Sequence, residues 1–136
     1  MAGGSGFTRV AVTDLPTLPD AEAAWAPVRH ALDIAAFGVN AFTAQRSGAV
    51  VIEDHDESDS RHEELYVVLT GLAEFTIGDE SFDAPAGTLV AVRDPDLRRV
   101  ARAGQAQTTV LAVGGVVGEA FEPRDWEARG AEVVKG

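Results

Sequence analysis

Two histidines and two carboxylates, separated by short even spacings, are the residues of this chain best suited to chemistry. His55 and Glu57 lie two positions apart, and so do His62 and Glu64. Alternate side chains of an extended strand point to the same face, so each pair presents both of its groups to one side. Imidazole and carboxylate ligands together suit a divalent ion such as zinc, manganese or nickel. The spacing predicts a mixed metal site formed by His55, Glu57, His62 and Glu64.

A cluster of arginines supports a second interpretation of the same carboxylates. Seven carboxylates between Glu53 and Glu64 repel one another unless a cation or water compensates their charge. The chain has only 11 basic residues against 22 acidic ones, yet four arginines fall within ten positions, namely Arg93, Arg98, Arg99 and Arg102. In this interpretation Glu64 forms a buried ion pair with Arg98 or Arg99, and a guanidinium supplies the charge that a metal would supply. Both interpretations stay open at this point.

Other candidate side chains are aromatic or isolated. Tyr66 lies two residues after Glu64 on the same strand face, where its hydroxyl can hydrogen-bond a ligand. Trp25 and Trp126 are expected to anchor the core or an interface, because tryptophan buries a large apolar area. His30 stands alone among the histidines and is expected to be structural.

Composition and charge exclude several functional classes. The 136 residues predict one domain. A net charge of −11 repels nucleic acid and anionic membranes, so we expect neither as a partner. The absence of cysteine excludes disulfides, thiolate nucleophiles and cysteine-based metal sites. No signal-like segment and no run of eighteen apolar residues is present, so we expect a cytoplasmic protein.

Short apolar segments separated by turn residues predict an all-β fold. Seven of them recur at a spacing of about ten residues, which is typical of a β-sandwich or barrel. The glycine and aspartate of Gly78-Asp79-Glu80 tolerate positive φ, so this segment predicts a tight hairpin. The predicted strands cover 37–43, 49–54, 64–70, 73–77, 88–92, 98–102 and 108–113.

The two ends of the chain have a different pattern. Residues 7–13 alternate well enough for an opening strand. Residues 21–25 are helix-prone, and Pro27 limits the helix to one or two turns that pack Trp25 and Leu32 over a sheet. Residues 122–129 predict a second helix, with proline near its first turn and Gly130 after its end.

Two motifs in the middle of the chain resemble those of a known family. Glu64 is followed six residues later by Gly71, and a Pro85-x-Gly87 corner leads into an apolar strand. From Gly48 to about Val100 the chain resembles the cupin superfamily. The first motif of that family ends in Glu-x6-Gly, and its second motif contains Pro-x-Gly. More narrowly, the segment His-Glu-Glu-Leu-Tyr-Val-Val that starts at His62 is similar to an actinobacterial-type group of small single-domain cupins with no assigned activity.

The resemblance implies an architecture. Cupins are jelly-roll barrels, or double-stranded β-helices, so we expect an all-β barrel with a short N-terminal helix and a C-terminal helical tail. Residues 1–35 would supply the N-terminal strand and helical segment, 36–115 the barrel and 116–136 the tail of one domain. Many proteins that resemble the chain pair through edge strands or N-terminal segments, and the outer face of Leu65, Val67 and Leu69 needs covering, so we expect a homodimer.

The resemblance also implies which positions form the site. Metal-binding cupins use two histidines, the glutamate of the first motif and a third histidine. Counting back from Glu64 places the first two at Glu57 and Asp59, or at His55 and Glu57 if the loop is two residues longer. Glu64 would point into the barrel, and His62 and Tyr66 would share its face.

The third histidine position departs from the pattern. Counting forward from Gly87 places it at Arg98, or at Arg99 after a slip of one residue. A guanidinium stays protonated and cannot ligate a metal, so the usual set of three histidines is not available.

Two functions of different class follow from these residues. The first is a barrel of uncharacterised activity that binds a small organic ligand without a metal, at a pocket lined by His62, Glu64, Tyr66, Arg98 and Arg99. The second is a metal-dependent enzyme of the dioxygenase or isomerase type, with one divalent ion (zinc, manganese or nickel) held by His55, Glu57, His62 and Glu64. The barrel fold hosts many chemistries and does not choose between them.

Overall fold

The computed structural model describes residues 1–4 and 6–135 as a barrel of short strands with helical segments near its two ends. The strands are β1 (Ala2–Gly4), β2 (Phe7–Arg9), β3 (Leu18–Asp20), β4 (Ala23–Ala26), β5 (Gly38–Ala44), β6 (Val50–His55), β7 (Glu63–Thr70), β8 (Leu72–Ile77), β9 (Glu80–Pro85), β10 (Leu89–Val92), β11 (Arg99–Ala103) and β12 (Thr108–Gly115). The helices are α1 (Val28–Leu32) and α2 (Ala128–Lys135), and Val12–Asp14 and Asp125–Glu127 form 3-10 turns. None of the helices in the described ranges is long and apolar enough to cross a membrane.

Two antiparallel sheets form the barrel. One has the order β10-β7-β12-β5-β4-β3 and the other the order β6-β11-β8-β9, while β1 and β2 form a separate hairpin. Inward side chains of both sheets meet in one core, and its largest fully buried members include Tyr66, Phe75, Val51, Val68 and Val110. The predicted all-β barrel is confirmed.

The seven predicted strands correspond to β5, β6, β7, β8, β10, β11 and β12, with ends that differ by at most two residues. The predicted hairpin is also present, because Ile77 pairs with Glu80 across the turn and Gly78 has a φ of +56°. Period-two alternation and glycine turns therefore locate most of the barrel.

The helix predicted for residues 21–25 is wrong. Ala23–Ala26 form strand β4, which pairs with β5 on one side and β3 on the other, and Trp25 is 1% exposed. The helix starts after Pro27 and covers Val28–Leu32. The helix preference of the alanines is overridden because strand pairing here buries Trp25 inside the barrel.

The N-terminal segment covers part of the outer face of the six-stranded sheet. Leu15 and Val28 pack with Val39 and Ala41 of β5 in a second apolar cluster, and Leu32 joins it. Leu32 therefore packs over the sheet as predicted, whereas Trp25 lies on the opposite, inner face. The predicted opening strand is shorter than 7–13, because β2 ends at Arg9 and a 3-10 turn follows.

The C-terminal helix lies further along the chain than predicted. Its residues are Ala128–Lys135, so Gly130 is inside the helix rather than after its end. A Cβ at Gly130 would lie 2.6 Å from Cβ of Pro27, and therefore only glycine allows α2 to approach α1 this closely. The last residue of the predicted tail, Gly136, is outside the described residues.

Gly71, the glycine that ends the first motif, has a left-handed backbone conformation and lies close to Thr108. Gly71 joins β7 to β8 with a φ of +76°, and a Cβ there would lie within 3 Å of the Thr108 backbone. Thr108 is fully buried and its hydroxyl accepts a hydrogen bond from the Leu72 amide. The junction therefore needs glycine for two separate reasons.

Substitution of Gly71 by alanine should destabilise the barrel more than the same substitution at Gly87. Both glycines have positive φ, but a Cβ at Gly87 would meet open space. We expect Gly71→Ala to lower the free energy of unfolding by roughly 1–3 kcal/mol more than Gly87→Ala, because overpacking adds to the backbone strain. Urea denaturation of the two variants measures the difference, and equal losses would contradict the crowding argument.

Candidate functional site

Glu64 lies on β7, the second strand of the six-stranded sheet, and faces the barrel interior. Its strand β7 is paired on both sides, opposite Val92 of β10 and Gly114 of β12. The Glu64 side chain is 13% exposed, and a Cβ at Gly114 would come within 3.3 Å of its Cγ. The structure therefore holds a carboxylate inside the barrel, next to a glycine that leaves room for it.

A fully buried arginine compensates this carboxylate. Arg99 has no exposed surface, and its Nη1 donates to Oε1 of Glu64 at 2.7 Å. Its Nε donates to the Leu97 carbonyl at 3.0 Å and its Nη2 to the Asp94 carbonyl at 3.3 Å. Each nitrogen of the guanidinium thus has an acceptor, as a buried charge requires.

The neighbouring arginine points the other way. Arg98 is 61% exposed in its side chain and its Nε lies 2.8 Å from Asp54 on the surface. Arg98 therefore is not the partner of Glu64, although it was one of the two candidates. Arg99 takes the inner position. The alternation of side chains where β11 begins causes this division.

Tyr66 shares the inner face with Glu64 and binds it directly. Its hydroxyl donates to the same Oε1 atom at 2.5 Å. Burial, together with the adjacent negative charge of Glu64, raises the pKa of Tyr66 well above its usual value. The phenol therefore stays protonated and acts as a hydrogen-bond donor.

His55 and Glu57 form the second half of the polar cluster. His55 Nε2 lies 3.1 Å from Oε2 of Glu57 and 3.6 Å from Oε1 of Glu64. Burial alone would lower the pKa of His55, but hydrogen bonds to Glu57, Glu64 and the Glu53 carbonyl outweigh it and raise the pKa to about 10. Burial raises the pKa of Glu57, and hydrogen bonds from His55 and Ser60 reverse the shift and lower it. His55 is therefore a cation between two carboxylates at neutral pH.

Three of the four predicted ligands come together as a group that could hold a metal ion. One atom each of His55, Glu57 and Glu64 lies within 4.8 Å of the other two. His62 is not part of this group. Its Nδ1 contacts Oε1 of Glu57 at 3.5 Å, and its ring packs against that of Phe121, with the ring centroids 5.6 Å apart. A metal ion binds only deprotonated imidazole, so it would have to displace a proton from His55 and share the Glu64 carboxylate with Arg99.

The cluster forms the polar end of a cavity of about 340 Å³. The apolar wall comes from both sheets and includes Phe42, Ile52 and Ala112. Trp25 and Trp126 also line the cavity, with ring centroids 5.0 Å apart, and Trp25 Nε1 donates to Asn40 at 2.7 Å.

Asn40 and Phe42 are cavity residues that were not predicted from the sequence. A polar residue in the apolar segment 37–43 was the available signal, because it marks an inward position that needs a partner.

The C-terminal segment is fixed over this cavity by a buried ion pair. Arg29 Nε lies 2.7 Å from Oε2 of Glu127, which is 3% exposed, and His30 Nε2 lies 2.9 Å from the Glu127 carbonyl. Trp126 is the residue before Glu127, so the ion pair places its ring on Trp25. His30 therefore lies in a contact that attaches the tail, away from the polar cluster.

Removal of the Arg99 side chain should destabilise the protein far more than removal of Arg98. Arg99→Ala leaves Glu64 without its buried cation, and we expect a loss of about 3–5 kcal/mol in the free energy of unfolding. Arg98→Ala breaks an exposed pair and should cost less than about 1 kcal/mol. Chemical denaturation of the two variants tests this difference, and similar losses would mean that the interior pair does not support the fold.

Comparison with known proteins identifies the fold. No protein-family model matches the sequence, and no curated protein sequence matches it significantly. Many solved structures superpose on most of the chain, including the three that follow. KdgF from Halomonas sp. has a TM-score of 0.64 at 17% identity and covers 81% of this chain and 93% of its own.

A cupin protein from Bacteroides fragilis has a TM-score of 0.61 at 19% identity, covering 89% of this chain and 93% of its own. A predicted oxalate decarboxylase from Thermotoga maritima has a TM-score of 0.65 at 15% identity, covering 81% and 100%. At these identities the likeness shows the fold alone and carries no activity to this chain. The protein has the double-stranded β-helix fold of the cupins.

Proposed function

We propose that this barrel binds a small organic molecule in its cavity, with Arg99 in place of a metal as the cation on Glu64. The ion pair between Arg99 and Glu64 is the observation that carries the proposal. The guanidinium already satisfies Oε1 of the glutamate, together with the Tyr66 hydroxyl. We also assign the chain to the small single-domain cupins whose motif it resembles at His62.

The cavity offers both an apolar wall and free polar atoms to such a ligand. Glu64 has a second carboxylate oxygen, and Asn40 has an amide NH2 group that can donate while its Oδ1 accepts from Trp25. Phe42 and Ile52 supply apolar contact area. A mostly apolar cavity with a few convergent polar groups is typical of a small-molecule site. A net charge of −11 supports this partner over nucleic acid.

A second candidate is a metal-dependent enzyme of the dioxygenase or isomerase type, and the grouping of His55, Glu57 and Glu64 favours it. These three residues would hold one divalent ion such as zinc, manganese or nickel. The ion would supply Lewis-acid or oxygen chemistry when bound. In that case His62 and Tyr66 would act from the neighbouring positions on the inner face.

Metal content together with probe binding separates the two functions. Elemental analysis of protein prepared without chelator or nickel column should show no stoichiometric metal if Arg99 is the cation. A near-stoichiometric metal that is lost in Glu57→Ala and kept in Asp59→Asn would establish the enzyme candidate, because Asp59 is an exposed acid outside the group.

Binding is measured by tryptophan fluorescence, since both tryptophans of the chain line the cavity. The probe is the neutral diol para-benzenedimethanol, which has a hydroxyl for Glu64 and a ring for the apolar wall. Ala112→Leu fills the cavity and should abolish binding, whereas Ala106→Leu in an exposed turn should not change it. Absence of binding to the unaltered protein, or equal binding by both variants, would contradict a ligand site in the barrel.

We further propose a homodimer through the edge strand β10. Four strands form the edges of the two large sheets, and three of them contain a proline or charged residues, which protect an edge from pairing. Strand β10 reads Leu-Val-Ala-Val and has neither, and Leu89 is 66% exposed on it. Antiparallel pairing of two copies about a two-fold axis closes this edge.

Leu89→Lys should convert the dimer into a monomer, because it places a charge on the unprotected edge. Leu97→Lys changes another exposed leucine away from that edge and should leave the dimer intact. Light scattering after size exclusion measures the mass, which should be twice that of the chain before substitution. A monomeric unaltered protein would refute this assembly.

A further inference from the structure

Two cationic side chains lie at the mouth of the cavity. Arg124 and Arg129 both line it, on either side of Trp126 in the C-terminal segment. The guanidinium of Arg129 lies 5.9 Å from the ring centroid of Trp25, and its Nη2 donates to the Pro19 carbonyl at 3.3 Å. Arg129 is therefore held over the entrance by contacts with strands β3 and β4.

The charges around these arginines leave them available to a ligand. Glu127, which lies between Arg124 and Arg129 in sequence, is already paired with Arg29. Among the described residues, neither Arg124 nor Arg129 has a carboxylate within 4.0 Å. Asp20 also lines the mouth, and burial raises its pKa while the charge of Arg129 opposes that rise. Asp20 therefore offsets part of the charge of Arg129 but does not act on Arg124 in the same way.

The inner end of the cavity has the opposite character. Glu57 and Glu64 are hydrogen-bond acceptors there, and their charges are balanced by His55 and Arg99. An anionic group of a ligand would face two carboxylates there, whereas a hydroxyl group can donate a hydrogen bond to them. The cavity is therefore polarised, with acceptors at its inner end and cations at its mouth.

We infer that the ligand of this cavity is a small hydroxy acid, bound with its hydroxyl at Glu64 and its carboxylate at Arg124 and Arg129. The inference rests on the proposed function and names the class of molecule for the same cavity. The middle of such a ligand lies against Phe42 and Ile52, so its carbon skeleton is apolar between the two polar ends.

The overall charge of the protein makes this arrangement informative. A net charge of −11 gives a field that repels anions over most of the surface. Arg124 and Arg129 are two exposed cations in the cavity lining, where they oppose that field. A neutral or cationic ligand would gain nothing from these two charges.

Three probes with one carbon skeleton test the inference. They are the anion para-hydroxymethylbenzoate, the neutral para-benzenedimethanol and the cation para-aminomethylbenzyl alcohol, each titrated by tryptophan fluorescence at low ionic strength. We expect the anion to bind at least roughly fivefold more tightly than the neutral probe, and the cation more weakly than either. The preference should shrink as salt screens the exposed charges.

Substitution of the two arginines identifies the source of the preference. The double variant Arg124→Gln and Arg129→Gln should bind the anion no more tightly than the neutral probe, with little change in affinity for the neutral one. The matched control changes two exposed arginines that do not line the cavity, Arg9→Gln and Arg102→Gln, and should keep the preference.

The outcomes separate this inference from the proposed function. If the neutral probe binds and the anion binds no better, the hydroxy acid is refuted while the ligand site stands. If the preference persists without Arg124 and Arg129, another cation of the cavity, such as His55, selects the anion, and the inference is again refuted. If none of the three probes binds, the proposed function fails together with the inference.

Discussion

The buried ion pair between Glu64 and Arg99 is the interaction on which the interior of this barrel depends. A carboxylate at this depth is stable only with a compensating cation, and a fully buried guanidinium is stable only with acceptors for its nitrogens. Glu64 and two backbone carbonyls supply those acceptors. The pair joins β7 of one sheet to β11 of the other, so the same contact that satisfies two charges also fixes how the sheets face each other. Tyr66 adds a neutral donor to the same oxygen and stays protonated because it is buried.

The character of the cavity lining changes from its inner end, next to this pair, to its mouth. The inner end is polar and balanced in charge, since His55 is a cation between Glu57 and Glu64. The wall is apolar, and the mouth is formed by a segment that another buried pair, Arg29 with Glu127, holds in place. Glycine at position 130 allows the helix of that segment to pack against Pro27. Long-range ion pairs and close backbone packing thus bring the two ends of the chain to one opening.

The sequence predicted the strands of the barrel well and the ends of the chain poorly. Alternation of apolar and polar residues is a local signal, and it located β5 to β8 and β10 to β12 within two residues. The segment around Trp25 became a strand because a partner strand was available, which local helix preference cannot report. Gly130 is a helix stop in local terms, but here it is a packing residue inside α2. Each of these errors occurs where a residue distant in sequence determines the conformation.

By itself the sequence determined the all-β class and the strand face shared by Glu64 and Tyr66, because both follow from the alternation of side chains. That this face points into the barrel, and that the third histidine is missing, followed from the resemblance of the motifs to those of the cupins. The sequence also brought His55 and Glu57 into consideration beside Glu64. Only the tertiary structure decided that Arg99 rather than Arg98 is buried, since a shift of one residue in a strand exchanges its inner and outer faces. The tertiary structure also placed Arg124, Trp126 and Arg129 at the cavity mouth. Their position depends on the contact of the C-terminal segment with α1, about a hundred residues away in sequence, and no local pattern encodes such a contact.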